Sequence, residues 1–145
     1  MATGLNADQV DGKSATQIAA EPGPPNGAAG GALAGTYPNP QLASTAQGVA
    51  VGGVRADANG NVLSSFNRRG GAPAVTRTST GQYTVAFPGS SFNINTNAEP
   101  QVSLIGAFGE SRVDTLGGNV LVLTADSAGT AADRAFVLTV FDSGS

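Results

Sequence analysis

The sequence predicts a mainly β protein, with an extended N-terminal stalk or neck over residues 1–48 and an antiparallel β-sandwich head over residues 49–145. Three observations predict it. Large apolar side chains divide unevenly, with seven in residues 1–48 and twenty-seven in residues 49–145. The second half breaks into short apolar runs separated by Gly, Asn, Asp and Ser, the residues that make turns. The first half carries the run Gly30-Gly31-Ala32-Leu33-Ala34-Gly35-Thr36-Tyr37-Pro38-Asn39-Pro40, rich in geometric instruction and poor in reactive groups.

Ordering a backbone residue costs roughly 1–2 kcal/mol. Met1, Leu5, Val10, Ile18, Leu33, Tyr37 and Leu42 are too few and too scattered to offset that cost across residues 1–48. That half is therefore either disordered or ordered by contact with something else. Within it, Ser14-Ala15-Thr16-Gln17 fits a capping box and allows a short helix over 15–20, stopped by Pro22 and Gly23. Gly23-Pro24-Pro25 looks like one collagen triplet, but Gly27, Gly30, Gly31 and Gly35 break the strict third-residue period. Collagen is rejected.

In the 30–40 run, glycine admits backbone geometry closed to other residues, while Pro38 and Pro40 push Tyr37 and Asn39 towards extended conformations. The reading is a tight turn leading into an extended strap, neither helix nor ladder. Gly30, Gly31, Leu33, Gly35, Tyr37, Pro38, Asn39 and Pro40 form a candidate structural joint, with Leu33 and Tyr37 as anchors between chains.

The head reads as strands over 49–56, 61–66, 72–78, 82–87, 101–108, 112–116, 119–125 and 134–141. Asp57-Ala58-Asn59-Gly60 and Ser79-Thr80-Gly81 are the hairpin turns, and residues 126–130 form a further loop. Alternation puts Tyr83, Val85 and Phe87 on a buried face, with Thr84 and Ala86 opposite. The stretches 120–123 and 136–138 are apolar on both faces, which calls for a second cover. Another copy of the chain is the expected cover.

Composition removes several classes of function. The chain has no Cys, His or Trp, so thiol, imidazole and Cys/His metal chemistry are missing. Lys13 is the only lysine, and six arginines face ten carboxylates for a net charge of −3, so no basic footprint for nucleic acid exists. No signal-peptide core and no run of about 18 apolar residues is present, so neither a leader nor membrane insertion is expected in this chain.

The remaining chemistry is thin. Asp57-Ala58-Asn59-Gly60-Asn61 opens like a calcium loop, but Arg68 stands where the closing carboxylate belongs, so a hairpin turn is the better reading. Asp8 and Asp11 could share a cation, although two solvated carboxylates beside a turn are commoner. Arg68 and Arg69 are the only adjacent basic pair and the candidate ligand-binding residues, for phosphate or an anionic glycan. The ordinary alternative is a solvated loop or an ion pair across a subunit boundary. Glu110, Asp114, Asp126 and Asp133 lie near strand ends, but nothing in their spacing pairs two of them across a cleft as a glycosidase needs. Tyr83, Phe87, Phe92 and Phe108 could stack on sugar, yet such aromatics more often build core.

The segment Gly30 to Ala43 resembles the GGDLxGTYPNPxxA segment of bacteriophage tail-fibre proteins and large bacterial surface fibres, with Ala32 where that motif has an acidic residue. Leu5 to Lys13 is similar to the NADTLDG segment of the same proteins. Asp126 to Phe136 resembles the end of small β-domains that close secreted actinobacterial proteins. The resemblance implies an elongated, self-assembling homotrimeric fibre with a compact β head, outside the cell, at a cell surface or on a virion. A receptor-binding or glycan-binding adhesin head is the alternative, and a polysaccharide depolymerase stands behind both. Neither a reaction nor a cofactor is expected.

Overall fold

A computed structural model describes residues 9–10, 13–14, 16–17, 27–43 and 46–143. The chain divides into two compact units, Met1–Ala43 and Ser44–Ser145. The protein is mainly β, and its sheets are antiparallel.

In the first unit, β1 (Gln9–Val10) pairs with β2 (Lys13–Ser14), Gln9 opposite Ser14 and Val10 opposite Lys13. Ser14 then caps the next turn reciprocally. The Gln17 N–H donates to Ser14 Oγ at 3.2 Å, and the Ser14 N–H donates to Gln17 Oε1 at 2.8 Å. This is the predicted capping box, with Thr16 and Gln17 in helical geometry. The rest of the 15–20 helix, the stop at Pro22 and Gly23, and the Asp8–Asp11 pair lie outside the described residues. Further on, β3 (Leu33–Ala34) pairs with β4 (Gln41–Leu42).

The second unit holds β5 (Ala50–Ala56), β6 (Val62–Asn67), β7 (Ala74–Ser79), β8 (Gln82–Ala86), β9 (Ala98–Ile105), β10 (Glu110–Leu116), β11 (Asn119–Ala125) and β12 (Ala135–Asp142). One four-stranded sheet runs β6-β5-β12-β9 and the other β10-β11-β8-β7. Their facing sides share one core, the arrangement of a β-sandwich. Val54, Ala56, Phe136, Leu138 and Val140 come from the first sheet, and Tyr83, Val85, Val120 and Val122 from the second. The Tyr83 and Phe136 rings meet between the layers, with centroids 5.1 Å apart.

The strand expected over 101–108 occurs at 98–105 instead. Pro100, opposite Val140, does not delay its start, because β9 is an edge strand where a missing N–H is tolerated. It stops early because Gly106 turns the chain at a φ of 73°. Phe108 therefore falls in a loop, 92% exposed.

Two adjacent glycines in β5 let aromatic rings lie against the strand from both sides. A Cβ on Gly52 would stand 2.5 Å from the Phe87 ring in the core. One on Gly53 would stand 2.6 Å from the Phe66 ring. Phe87 is further held by an edge contact with Phe92, centroids 5.4 Å apart. The link from β6 to β7 is fastened by Asn67, whose Nδ2 donates to the carbonyls of Gly71 at 2.9 Å and Pro88 at 2.8 Å.

The strands expected to be apolar on both faces are so in part. Val120, Val122, Phe136, Leu138 and Val140 are fully buried. On the outward faces, Leu121, Leu123 and Phe141 are half-buried, and Val137 is 38% exposed. Among the described residues no helix is long and apolar enough to cross a membrane.

Candidate functional site

The 30–40 run folds back on itself. The Leu33 N–H donates to the Gly30 carbonyl at 3.3 Å, closing a tight turn. The chain returns past its own start, with the Ala29 N–H donating to Gly35 at 3.0 Å and the Tyr37 N–H to Gly27 at 3.1 Å. A second turn follows at once, closed by the Asn39 N–H on the Thr36 carbonyl at 3.2 Å, with a cis Tyr37–Pro38 peptide at its centre. The chain then pairs as β4 with β3, and the Ala43 N–H closes on the Ala32 carbonyl at 2.8 Å.

This corrects the expected strap. Thr36 to Asn39 is a reverse turn between two short strands, so ladder pairing does occur here. Glycine is required by conformation at Gly31 and Gly35, where φ is 69° and 93°. It is not required there by crowding, since a Cβ at Gly30, Gly31 or Gly35 would meet nothing within 4 Å. Nothing in the structure explains glycine at Gly30. None of the described residues from Gly27 to Ala43 is buried; Leu33 is 38% exposed and Tyr37 half-exposed.

Arg68 and Arg69 sit where β6 leaves its sheet. The Arg68 N–H donates to the Val51 carbonyl at 2.9 Å, and the Arg69 N–H to Asn67 Oδ1 at 3.0 Å. The Arg69 guanidinium is paired with Asp142, a buried carboxylate at the end of β12. The pair is thus split in role. Arg69 compensates a buried charge of its own chain, and the exposed side chain of the two is that of Arg68.

The carboxylates of the head are also in structural use. Asp57 Oδ1 accepts the N–H groups of Asn59 and Asn61 at 2.9 and 2.8 Å, and its Oδ2 accepts Asn61 Nδ2 at 2.8 Å. Those bonds hold it below its ordinary pKa, the Asn61 side chain contributing most. The 57–61 segment is a hairpin turn, as preferred. Among the described residues no group of three or more metal-ligating side chains converges. Asp126 Oδ1 accepts the N–H groups of Ala128 and Thr130, both at 2.9 Å, shaping its own loop. The Thr115 N–H and the Arg112 guanidinium hold Asp114 low.

Asp133 is the most engaged of them. Its carboxylate takes Arg77 in a two-point clamp, Nε to Oδ1 at 2.8 Å and Nη2 to Oδ2 at 2.7 Å. It also accepts the Gly81 N–H at 2.8 Å and the Tyr83 hydroxyl at 3.3 Å. Arg77 first, then Gly81, lower its pKa from 3.8 to about 2. Burial pushes the Tyr83 hydroxyl the other way, upward.

Three of the four aromatics are core, as preferred over a sugar platform. Tyr83, Phe87 and Phe92 are buried in the core, while Phe108 stands alone in solvent. What sequence reasoning missed is that Phe66 joins Val137 in an outward apolar patch on the first sheet. There Phe66, 47% exposed, lies over Gly53 close to Val137. The Gly52-Gly53 pair inside a valine-rich strand was its signal, because glycine in a strand marks a close approach. Comparison with protein-family models, with curated proteins and with solved structures finds no match.

Proposed function

We propose that this chain is a structural fibre protein that assembles as a homotrimer, outside the cell or on a virion, with its first unit as an intertwined neck and its second as the head. One observation carries the reading. Residues 27–43 are fully specified in backbone geometry, yet none of them is buried. A net hydrogen bond contributes only about 0.5–1.5 kcal/mol, against roughly 1–2 kcal/mol to order each residue. Such a segment needs a surface to pack on, and copies of itself supply one at fixed stoichiometry. Leu33 and Tyr37 are the side chains offered to that surface.

The head supports the same reading through its outward patch of Phe66 and Val137. The likeness of the 30–43 and 5–13 segments to fibre motifs supplies the threefold expectation. The proposed mechanism is assembly; we assign the chain no reaction and no cofactor. The test is native mass spectrometry of the full chain at micromolar concentration, with negative-stain imaging. Particles of three 14.2 kDa chains with an elongated profile are expected. A monomer at every concentration overturns the proposal.

A further inference from the structure

Each sheet of the head has two edge strands, and the four edges fall on two sides of the sandwich. On one side β9 and β10 approach each other. On the other lie β6 and β7, with the β5–β6 turn resting on β7 where Gly60 meets Val75 and Arg77.

The two sides are protected very differently. Soluble β-proteins guard their free edges with charge, proline or bulges, because an unpaired ladder recruits other strands. The β9–β10 side is guarded: β9 carries Glu99 and Pro100, and β10 carries Glu110, Arg112 and Asp114. The β6–β7 side has a register shift near one end of each strand but no proline and little charge. β6 reads Val-Leu-Ser-Ser-Phe-Asn, without charge or proline, and is exposed from Val62 to Phe66. β7 reads Ala-Val-Thr-Arg-Thr-Ser, and its one charge, Arg77, is clamped on Asp133. Register shifts interrupt each ladder near one end, leaving Ser64–Asn67 and Ala74–Arg77 as the regularly paired runs.

We infer that the β6–β7 side is the face through which the heads of three copies join, β6 of one copy pairing with β7 of the next. The inference rests on the homotrimer proposed above and deepens it by naming the contact. A second copy is the occupant because each copy presents both a lightly guarded β6 and a lightly guarded β7. The one charge on these two strands, Arg77, is already neutralised by Asp133 of its own chain. Head-to-tail pairing around a threefold axis closes on itself and leaves neither edge free. Each composite sheet then runs β9-β12-β5-β6 from one copy into β7-β8-β11-β10 of its neighbour.

The experiment installs the missing guards on the full chain. Ser64, opposite the exposed Arg55, and Thr76, opposite Thr84, are exposed edge residues on the outward faces, so Ser64→Lys with Thr76→Lys adds charge to both runs away from the core. Gln101→Lys, on the guarded β9, is the control. Native mass spectrometry is expected to give three chains for the parent and for Gln101→Lys. The double variant is expected to lose at least tenfold in trimer at micromolar concentration, with an unchanged far-ultraviolet spectrum showing that it folds. A parent trimer that survives both lysines overturns this inference and leaves the fibre reading standing. A parent dimer that the lysines abolish overturns the threefold pairing in favour of β6 or β7 meeting its own copy. A monomeric parent overturns the assembly reading itself, and this inference with it.

Discussion

Residues 27–43 and the head use the same local vocabulary, glycine-hinged turns between short antiparallel strands, with opposite consequences for burial. In the 27–43 segment two turns follow in succession and close with five backbone hydrogen bonds of 2.8–3.3 Å, yet every side chain remains at least partly exposed. In the head the turns bring two sheets together over a shared core in which Tyr83, Val85, Val120, Val122, Phe136, Leu138 and Val140 are all fully buried. Turn chemistry and hydrogen bonding therefore determine shape in both regions. Burial determines which of them is stable by itself.

That contrast breaks most readily at the centre of the head. Phe136→Ala removes a fully buried ring that touches Tyr83 across the two layers. A loss of about 3–5 kcal/mol is expected in urea unfolding of the full chain. A loss below about 1 kcal/mol would mean that the two layers do not depend on their shared core. Gly52→Ala tests the same core by overfilling it, since the new Cβ would fall 2.5 Å from the Phe87 ring. About 1–3 kcal/mol of destabilisation is expected, and a neutral result would place the Phe87 ring elsewhere.

The head was legible in the sequence because burial leaves a period. Tyr83-Val85-Phe87 alternates visibly, and the strands at 82–86 and 119–125 fall within a residue of their predicted ends. Strand β9 was misplaced because Pro100 reads as a breaker, and only the pairing order reveals it to be on an edge. The clamp of Arg77 on Asp133 joins residues 56 positions apart, and no local pattern announces such a partner. The 30–40 run was legible as a turn but misjudged in direction. Its prolines favour extended neighbours, while the glycines at 31 and 35 turn the chain back into a ladder. Arg68 and Arg69 looked alike in the sequence, and only the fold assigns Asp142 to one of them.

Acid offers a milder way to sharpen the comparison. Asp133 is held at about 2, below its ordinary 3.8, so its ionised form is favoured by folding. Its contribution is therefore fully present above the unfolded carboxylate pKa and fades as the pH falls through about 2. Asp57 and Asp114 are shifted in the same direction and add to the same acid limb. Unfolding midpoints measured from pH 6 to pH 2 should decline below pH 4, and Asp133→Asn should be less stable at pH 6 but less sensitive to acid. Equal acid slopes for the parent and Asp133→Asn would exclude the clamp as a source of that limb.

The smallest effect on the head should come from the most conspicuous residue of the other region. Tyr37 is half-exposed and belongs to the first unit. Tyr37→Ala should thus leave the head's unfolding midpoint within the about 0.5 kcal/mol typical of surface changes. Its cost should appear instead in residues 27–43. Amide exchange at Ala29, Tyr37 and Ala43, whose N–H groups close the two turns, should quicken. If those residues gain order only by packing on other copies, the quickening should accompany a loss of trimer and grow as the protein is diluted. Exchange that quickens equally at all concentrations would mean that Tyr37 acts within its own chain. A fall in the head's midpoint of the size expected for Phe136→Ala would mean that the two regions share a core after all.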